Sequence, residues 1–141
     1  MPRPVGPPVG RQLAWTAKAV SRAFNDALVD AGGSLPVWLV LSSLKEQPRR
    51  TQLDLARAVG IEGPTLTRHL DGLERAGFVE RHRDPVDRRA VRVELTDAGE
   101  RLFAELLTAV IAFNRRLTAG LAAQELERLQ QTLARLDQNV R

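Results

Sequence analysis

The sequence predicts a mainly α-helical protein with one small β-hairpin. The arrangement is a winged helix-turn-helix plus a helical dimerisation region. Three observations predict it. Apolar residues recur at three- and four-residue steps through most of the chain. Two short helical segments meet at a turn, Gly60-Ile61-Glu62. Directly after them come two stretches of alternating apolar and polar residues, separated by Asp84-Pro85-Val86-Asp87. The length, 141 residues, is that of one domain and allows roughly two-thirds of the unfolded surface to be buried.

Residues 1–10 hold four of the eight prolines and are expected to form a disordered, Pro-rich arm. The single domain then spans 11–141. The first helix reads from about Leu13 to Asp30, with Leu13, Ala17, Val20, Phe24 and Leu28 on one face, and Gly32-Gly33 ends it. Ser34 is a good N-cap for the second helix, and Pro36 suits its first turn. Val37, Trp38, Val40, Leu41 and Leu44 make this helix apolar nearly all round, so it should be central. Gln47-Pro48 closes it.

The third helix starts after Thr51, with Asp54 at the capping-box spacing, and Gly60 stops it. The fourth runs from about Gly63 to Ala76 and is stopped by Gly77. Together they make the helix-turn-helix. Residues 78–83 and 90–95 form the hairpin. Thr96 caps a fifth helix that reaches about Leu117. The sixth runs from about Ala123 to Gln138, with Leu126, Leu129, Leu133 and Leu136 in register. The winged unit spans about 34–96, and the dimerisation helices about 11–31 and 97–141. The terminal helices carry long apolar stripes that a monomer of this size offers few partners for.

Composition excludes several chemistries. Zero cysteines exclude disulfides, Cys-ligated zinc, iron–sulfur clusters and thiol redox sensing. Only two histidines are present, and no nucleophile elbow, phosphate loop or metal-ligand spacing appears. The expectation is a non-enzyme that needs no cofactor and no metal. The start, MPRPVGPPVG, lacks the apolar core of a signal peptide, and no run of about 18 apolar residues occurs. The expected location is cytoplasmic, with no membrane partner.

Charge is distributed unevenly. The net charge is +4, carried by 19 arginines, two lysines and 17 acids. Residues 1–48 carry +2, residues 49–92 carry +3, and residues 93–141 carry −1. The hairpin from Arg81 to Arg92 alone holds five arginines and two acids. Arginine in a protruding turn suits a narrow minor groove. On the fourth helix, Leu66, Leu70 and Leu73 form the packing face. The opposite side and flanks present Gly63, Pro64, Thr65, Thr67, Arg68 and Arg75, with His69 near the edge. Small residues permit close approach to bases. Threonine can meet phosphate or thymine, and arginine can take guanine O6 and N7. These residues, with Arg83, Arg88 and Arg89 of the hairpin, are the candidate DNA-binding set.

Residues 51–100 resemble the core of the MarR family of bacterial transcriptional regulators. The resemblance lies in Leu55-Ala56, in Pro64-Thr65-Leu66-Thr67-Arg68, and in residues 73–81, Leu-Glu-Arg-Ala-Gly-Phe-Val-Glu-Arg. The hairpin Asp84-Pro85-Val86-Asp87-Arg88-Arg89 and the closing Leu95-Thr96-Asp97-Ala98-Gly99 complete it. It implies a homodimer that binds a palindromic double-stranded DNA operator, usually as a repressor. It implies an arginine in the minor groove, here Arg89 or Arg88, and a wing braced by a salt bridge from Asp87. It also implies release by a small aromatic effector, for which Trp15 and Trp38 are candidate ligand-binding walls. Two positions depart from the family pattern. Glu62 stands where Ser or Thr usually caps the recognition helix. Ala122 stands where a capping Ser is common, so the sixth helix is expected to fray. The competing reading is a winged-helix protein-interaction module that does not contact DNA.

Overall fold

The computed structural model describes residues 6–48 and 50–141. Its elements run α1 (Val9–Asp30), α2 (Leu35–Glu46), β1 (Arg50–Thr51), α3 (Gln52–Val59), α4 (Gly63–Arg75), β2 (Val79–Arg83), β3 (Val91–Leu95), α5 (Asp97–Leu117) and α6 (Ala123–Val140). The predicted order is observed, with differences at the termini and in the sheet.

Helix α1 begins four residues before Leu13. Residues 9 and 10 of the expected arm are therefore helical, and residues 1–5 of it lie outside the described residues. Pro8 stands at the N-cap and its carbonyl accepts from Gln12 N–H at 3.1 Å. Its locked φ favours the approach to a helix, and nothing in Val9-Gly10-Arg11 breaks one. At the other end Gly32 adopts φ +97°, and Gly33 N–H reaches the Leu28 carbonyl at 2.8 Å. That left-handed cap is the stop which the glycine pair predicts.

Ser34 Oγ accepts from Val37 N–H at 3.3 Å, as expected for the N-cap of α2. A second donor is satisfied from outside: Leu35 N–H donates to Asn25 Oδ1 of α1 at 2.9 Å. Thr51 Oγ1 accepts from Asp54 N–H at 3.1 Å to open α3, and Gly60 at φ +70° ends it. Glu62 makes no side-chain cap for α4. Ala122 has no side chain that could accept a hydrogen bond. Even so, the start of α6 is held, because Ala122 N–H donates to Glu125 Oε1 at 3.2 Å. The expected fraying is not observed: half of a capping box is enough to fix the chain there. Helix α6 also runs two residues beyond Gln138.

The sheet has three strands, not two, in the order β1-β3-β2 and antiparallel throughout. Val79 faces Leu95 and Arg81 faces Val93 across the hairpin, while Arg50 faces Val93 on the other side. Strand β1 has two residues and therefore no periodicity that a sequence could show.

The core gathers Leu28 of α1, Val40, Leu41 and Leu44 of α2, Leu55 of α3, Leu66 and Leu70 of α4, Val79 and Val93 of the sheet, and Leu106 of α5, all fully buried. Leu66, Leu70 and Leu73 are the buried face of α4, as the 100° spacing predicts. By contrast, α6 buries no residue, and α1 buries only Leu28. Among the described residues no single helix is long and apolar enough to cross a membrane.

Candidate nucleic-acid interface

The first turns of α4 and the wing lie on either side of an open groove of about 650 Å³. Gly63 and Thr67 of α4, Gln52 of α3 and Arg89 of the wing all border it. Gly63, Pro64 and Arg68 are exposed, and Thr65 and Thr67 are half-buried. Arg75 is exposed in the last turn, twelve residues after Gly63, which places it about 18 Å along the helix axis. It can meet a phosphate at that end but does not share the groove. His69 is half-buried on a different face of α4. There it borders a cleft of about 300 Å³ with Gly32, Val37, Phe78 and Leu102.

Thr67 has little hydrogen-bonding capacity left for DNA. Its hydroxyl donates to the Gly63 carbonyl at 3.0 Å and accepts from Gln52 Nε2 at 2.8 Å. Gln52 was not a predicted site residue. No short-range pattern marks it, since its partner is 15 residues away.

The wing is braced by a different residue from the one that the resemblance implies. Asp84, not Asp87, makes the bracing salt bridge. Asp84 is 6% exposed. One oxygen accepts from Val86 N–H at 2.8 Å and Asp87 N–H at 3.0 Å, and the other meets Arg92 Nε at 2.5 Å. Asp87 accepts instead from its neighbour's backbone, Arg89 N–H, at 3.1 Å. The physical reason is depth. Asp84 closes β2 at the buried base of the turn, beside Arg92 of β3. Asp87 sits on the exposed tip.

The five hairpin arginines divide by partner. Arg81 is held by Asp71 at 2.5 Å and Glu74 at 3.1 Å, so it ties β2 to α4. Arg92 is held by Asp84. Arg83 donates to the Arg88 carbonyl at 3.0 Å, which spans the hairpin. Arg88 and Arg89 project from the exposed tip. The basic charge that can reach a partner is therefore concentrated in the tip pair, with part of the Arg83 guanidinium.

Backbone N–H groups of Asp87 and Val86, and then Arg92, hold the Asp84 carboxyl below the usual aspartate range. Arg81 does the same for Glu74. For a depressed carboxyl, the stabilising contribution is full above the unfolded value. It is lost only as pH falls through the lower folded value. The wing brace should therefore hold at every pH above the ordinary aspartate range and be lost only as pH falls below that range. A carbon NMR titration of the Asp84 carboxyl should place its midpoint below the ordinary value. A midpoint at or above that value would remove the brace.

The two tryptophans do not share a cavity. Trp38 stacks on Phe103 of α5 with ring centroids 5.4 Å apart, as part of the packing between α2 and α5. Trp15 is 69% exposed on α1, with the Arg11 guanidinium 5.5 Å from its ring centroid.

A family model, described as the MarR family, matches residues 34–91. The fold is similar to a mutant MarR from E. coli complexed with operator DNA, at 28% identity over 92% of this chain and 93% of that one, with a TM-score of 0.83. It is also similar to CouR, a transcriptional repressor bound to a 23-mer DNA duplex, at 29% identity over 92% of both chains, with a TM-score of 0.85. A third likeness, of fold, is to the PcaV transcriptional regulator from Streptomyces coelicolor in complex with its natural ligand. There the identity is 23% over 97% of this chain and 99% of that one, and the TM-score is 0.81.

Proposed function

The chain belongs to the MarR family of transcriptional regulators, and from that premise we propose that it is a homodimeric repressor of a palindromic operator. It is a DNA-binding regulator and not an enzyme. The observation that carries the proposal is the braced wing. Asp84 fixes a turn whose tip presents Arg88 and Arg89 beside the exposed first turns of α4. In this reading α4 enters the major groove through Gly63, Pro64, Thr65, Thr67 and Arg68. Arg89 or Arg88 enters the adjacent minor groove, and Arg83 and Arg75 meet phosphates. The MarR and CouR structures hold DNA, which supports the same use of this fold here.

A mobility shift against the DNA upstream of the chain's own gene, at low salt, tests the reading. Binding should weaken steeply with salt, because each neutralised phosphate releases counterions. A flat response would favour the protein-interaction reading.

The dimer is supported by unpaired apolar faces. Leu129 and Leu133 of α6 are 44% and 40% exposed, and Leu107 and Ile111 of α5 and Leu13 of α1 are also exposed. A second copy would cover such stripes. Sedimentation at micromolar concentration should give two copies. Leu129→Glu with Leu133→Glu should give one copy and weak operator binding. A monomeric wild-type chain would overturn the dimer.

Relief by a small aromatic acid is part of the proposal. The cleft beside His69 is bordered by Arg68 of α4 and Leu102 of α5, so an occupant would touch both the reading helix and a dimerisation helix. Arg68 supplies a cation for a carboxylate. PcaV is bound to its natural ligand, which is consistent with this use of the fold. Trp38 and Trp15 are then packing and surface residues, and their fluorescence offers a way to follow binding.

A further inference from the structure

We propose that Gln52 determines operator specificity: from α3 it locks Thr67 in one rotamer and offers the rest of its own amide to the base edges beside α4. This rests on the DNA-binding reading above and assigns a new residue to it.

A threonine hydroxyl has one proton. Thr67 spends it on the Gly63 carbonyl, at 3.0 Å. Whatever else meets that oxygen must donate, so the amino end of the Gln52 amide must face it, at 2.8 Å. The hydrogen-bond chain thus fixes the amide's orientation. It also fixes χ1 of Thr67, and with it the position of the methyl group. A free threonine could turn to donate to a phosphate. This one presents a fixed methyl and a single remaining acceptor site, which favours an apolar contact such as the thymine methyl.

Gln52 is not used up by this contact. Its amide keeps one N–H and the carbonyl oxygen, a donor and an acceptor in one plane. That pair is the complement of adenine N7 and N6. The residue is half-buried and borders the groove that also receives Gly63, Thr67 and Arg89. Gly63 has no side chain, and nothing lies within 4 Å of where its Cβ would be. A base edge can therefore approach Gln52 past the first turn of α4. Helix α3 then contributes to base reading as well as to support.

The test is selection of bound sites from random duplex DNA by the wild type, Gln52→Leu, Thr67→Val, Thr67→Ser and the Gln52→Leu/Thr67→Val pair. Thermal melts and binding to a duplex without the motif accompany it. Gln52→Leu should lose about tenfold in discrimination at one position of each half-site. Its affinity for the motif-free duplex should fall far less. Thr67→Val should relax the same position, and Thr67→Ser, which keeps the hydroxyl, should retain most of the preference at that position while losing any preference that the methyl gives. The double variant should be little worse than either single one, because both break one chain. If Gln52→Leu selects the wild-type motif at full discrimination, the proposal fails. It also fails if that variant melts lower and loses affinity equally for every duplex, since Gln52 would then be structural only. A wild type that binds no duplex would overturn the DNA-binding reading itself, a separate result.

Discussion

Alanine at position 99 is expected to destabilise the fold by at least about 3 kcal/mol, measured by chemical denaturation. Gly99 is buried in the first turn of α5, where the chain passes from the winged unit into the long C-terminal helices. A Cβ there would lie 2.0 Å from the Phe78 carbonyl oxygen. That oxygen is backbone and is already engaged, accepting from Thr96 N–H at 3.1 Å. Thr96 adds two further ties: its hydroxyl donates to the Gly77 carbonyl at 2.5 Å and accepts from Gly99 N–H at 3.1 Å. Relief would require α5 to lift away from the end of α4 and the start of β2 together. Gly72→Ala is the contrasting control. Its Cβ would meet nothing within 4 Å, in a helix interior where alanine is favoured by roughly 0.5–1 kcal/mol. Equal effects of the two substitutions would show that the joint is not rigid.

Replacing Arg89 by alanine should weaken operator binding by about 1–3 kcal/mol while leaving the melt near that of the wild type. The side chain stands on the exposed wing tip, and the tip's shape is set by Asp84 and Arg92. Unchanged affinity in a titration would remove the wing from the mechanism. Arg81→Ala should do the reverse. Its guanidinium is held by Asp71 and Glu74, and its backbone N–H by Glu74 at 3.0 Å. Its loss should lower stability first, and DNA affinity only through that. On these expectations, two arginines of one hairpin would differ in role, Arg81 in packing and Arg89 in recognition.

The sequence carried the core of α4 well because three leucines at helical spacing need only the 100° rotation to be read. The same rotation put Thr67 on a flank and His69 near the edge of the apolar face, where both are half-buried, but it could not give their partners or that of Asp71. Asp71 reaches back to Arg81 across ten residues. His69 borders the cleft toward Leu102, not the groove between α4 and the wing. The hairpin's +3 overstates by one what can meet a phosphate, because Arg81 is neutralised by Asp71 and Glu74 of α4, whereas the Asp84–Arg92 pair already cancels within that sum. The wing is braced, as the resemblance implies, but by Asp84 in place of Asp87, because Asp84 is the carboxyl at the buried base of the turn.

By itself, the sequence determined the order of the helices, their caps and stops, and the helix-turn-helix followed by a hairpin. Those features depend on signals within a few residues: Ser34 and Thr51 ahead of helices, Gly60 and Gly77 after them, alternation on either side of a turn. Only the tertiary structure decided which charges are free, which hydroxyls are already spent, and which aspartate holds the wing. It also added β1, the Asn25 cap on α2 and the Gln52–Thr67 link. The reason is separation along the chain and depth in the fold. The β1 pairing, the Asn25 cap and the Gln52–Thr67 link join residues ten or more apart, and Asp84 differs from Asp87 by its depth in the fold, so each contribution depends on packing geometry that no local pattern encodes.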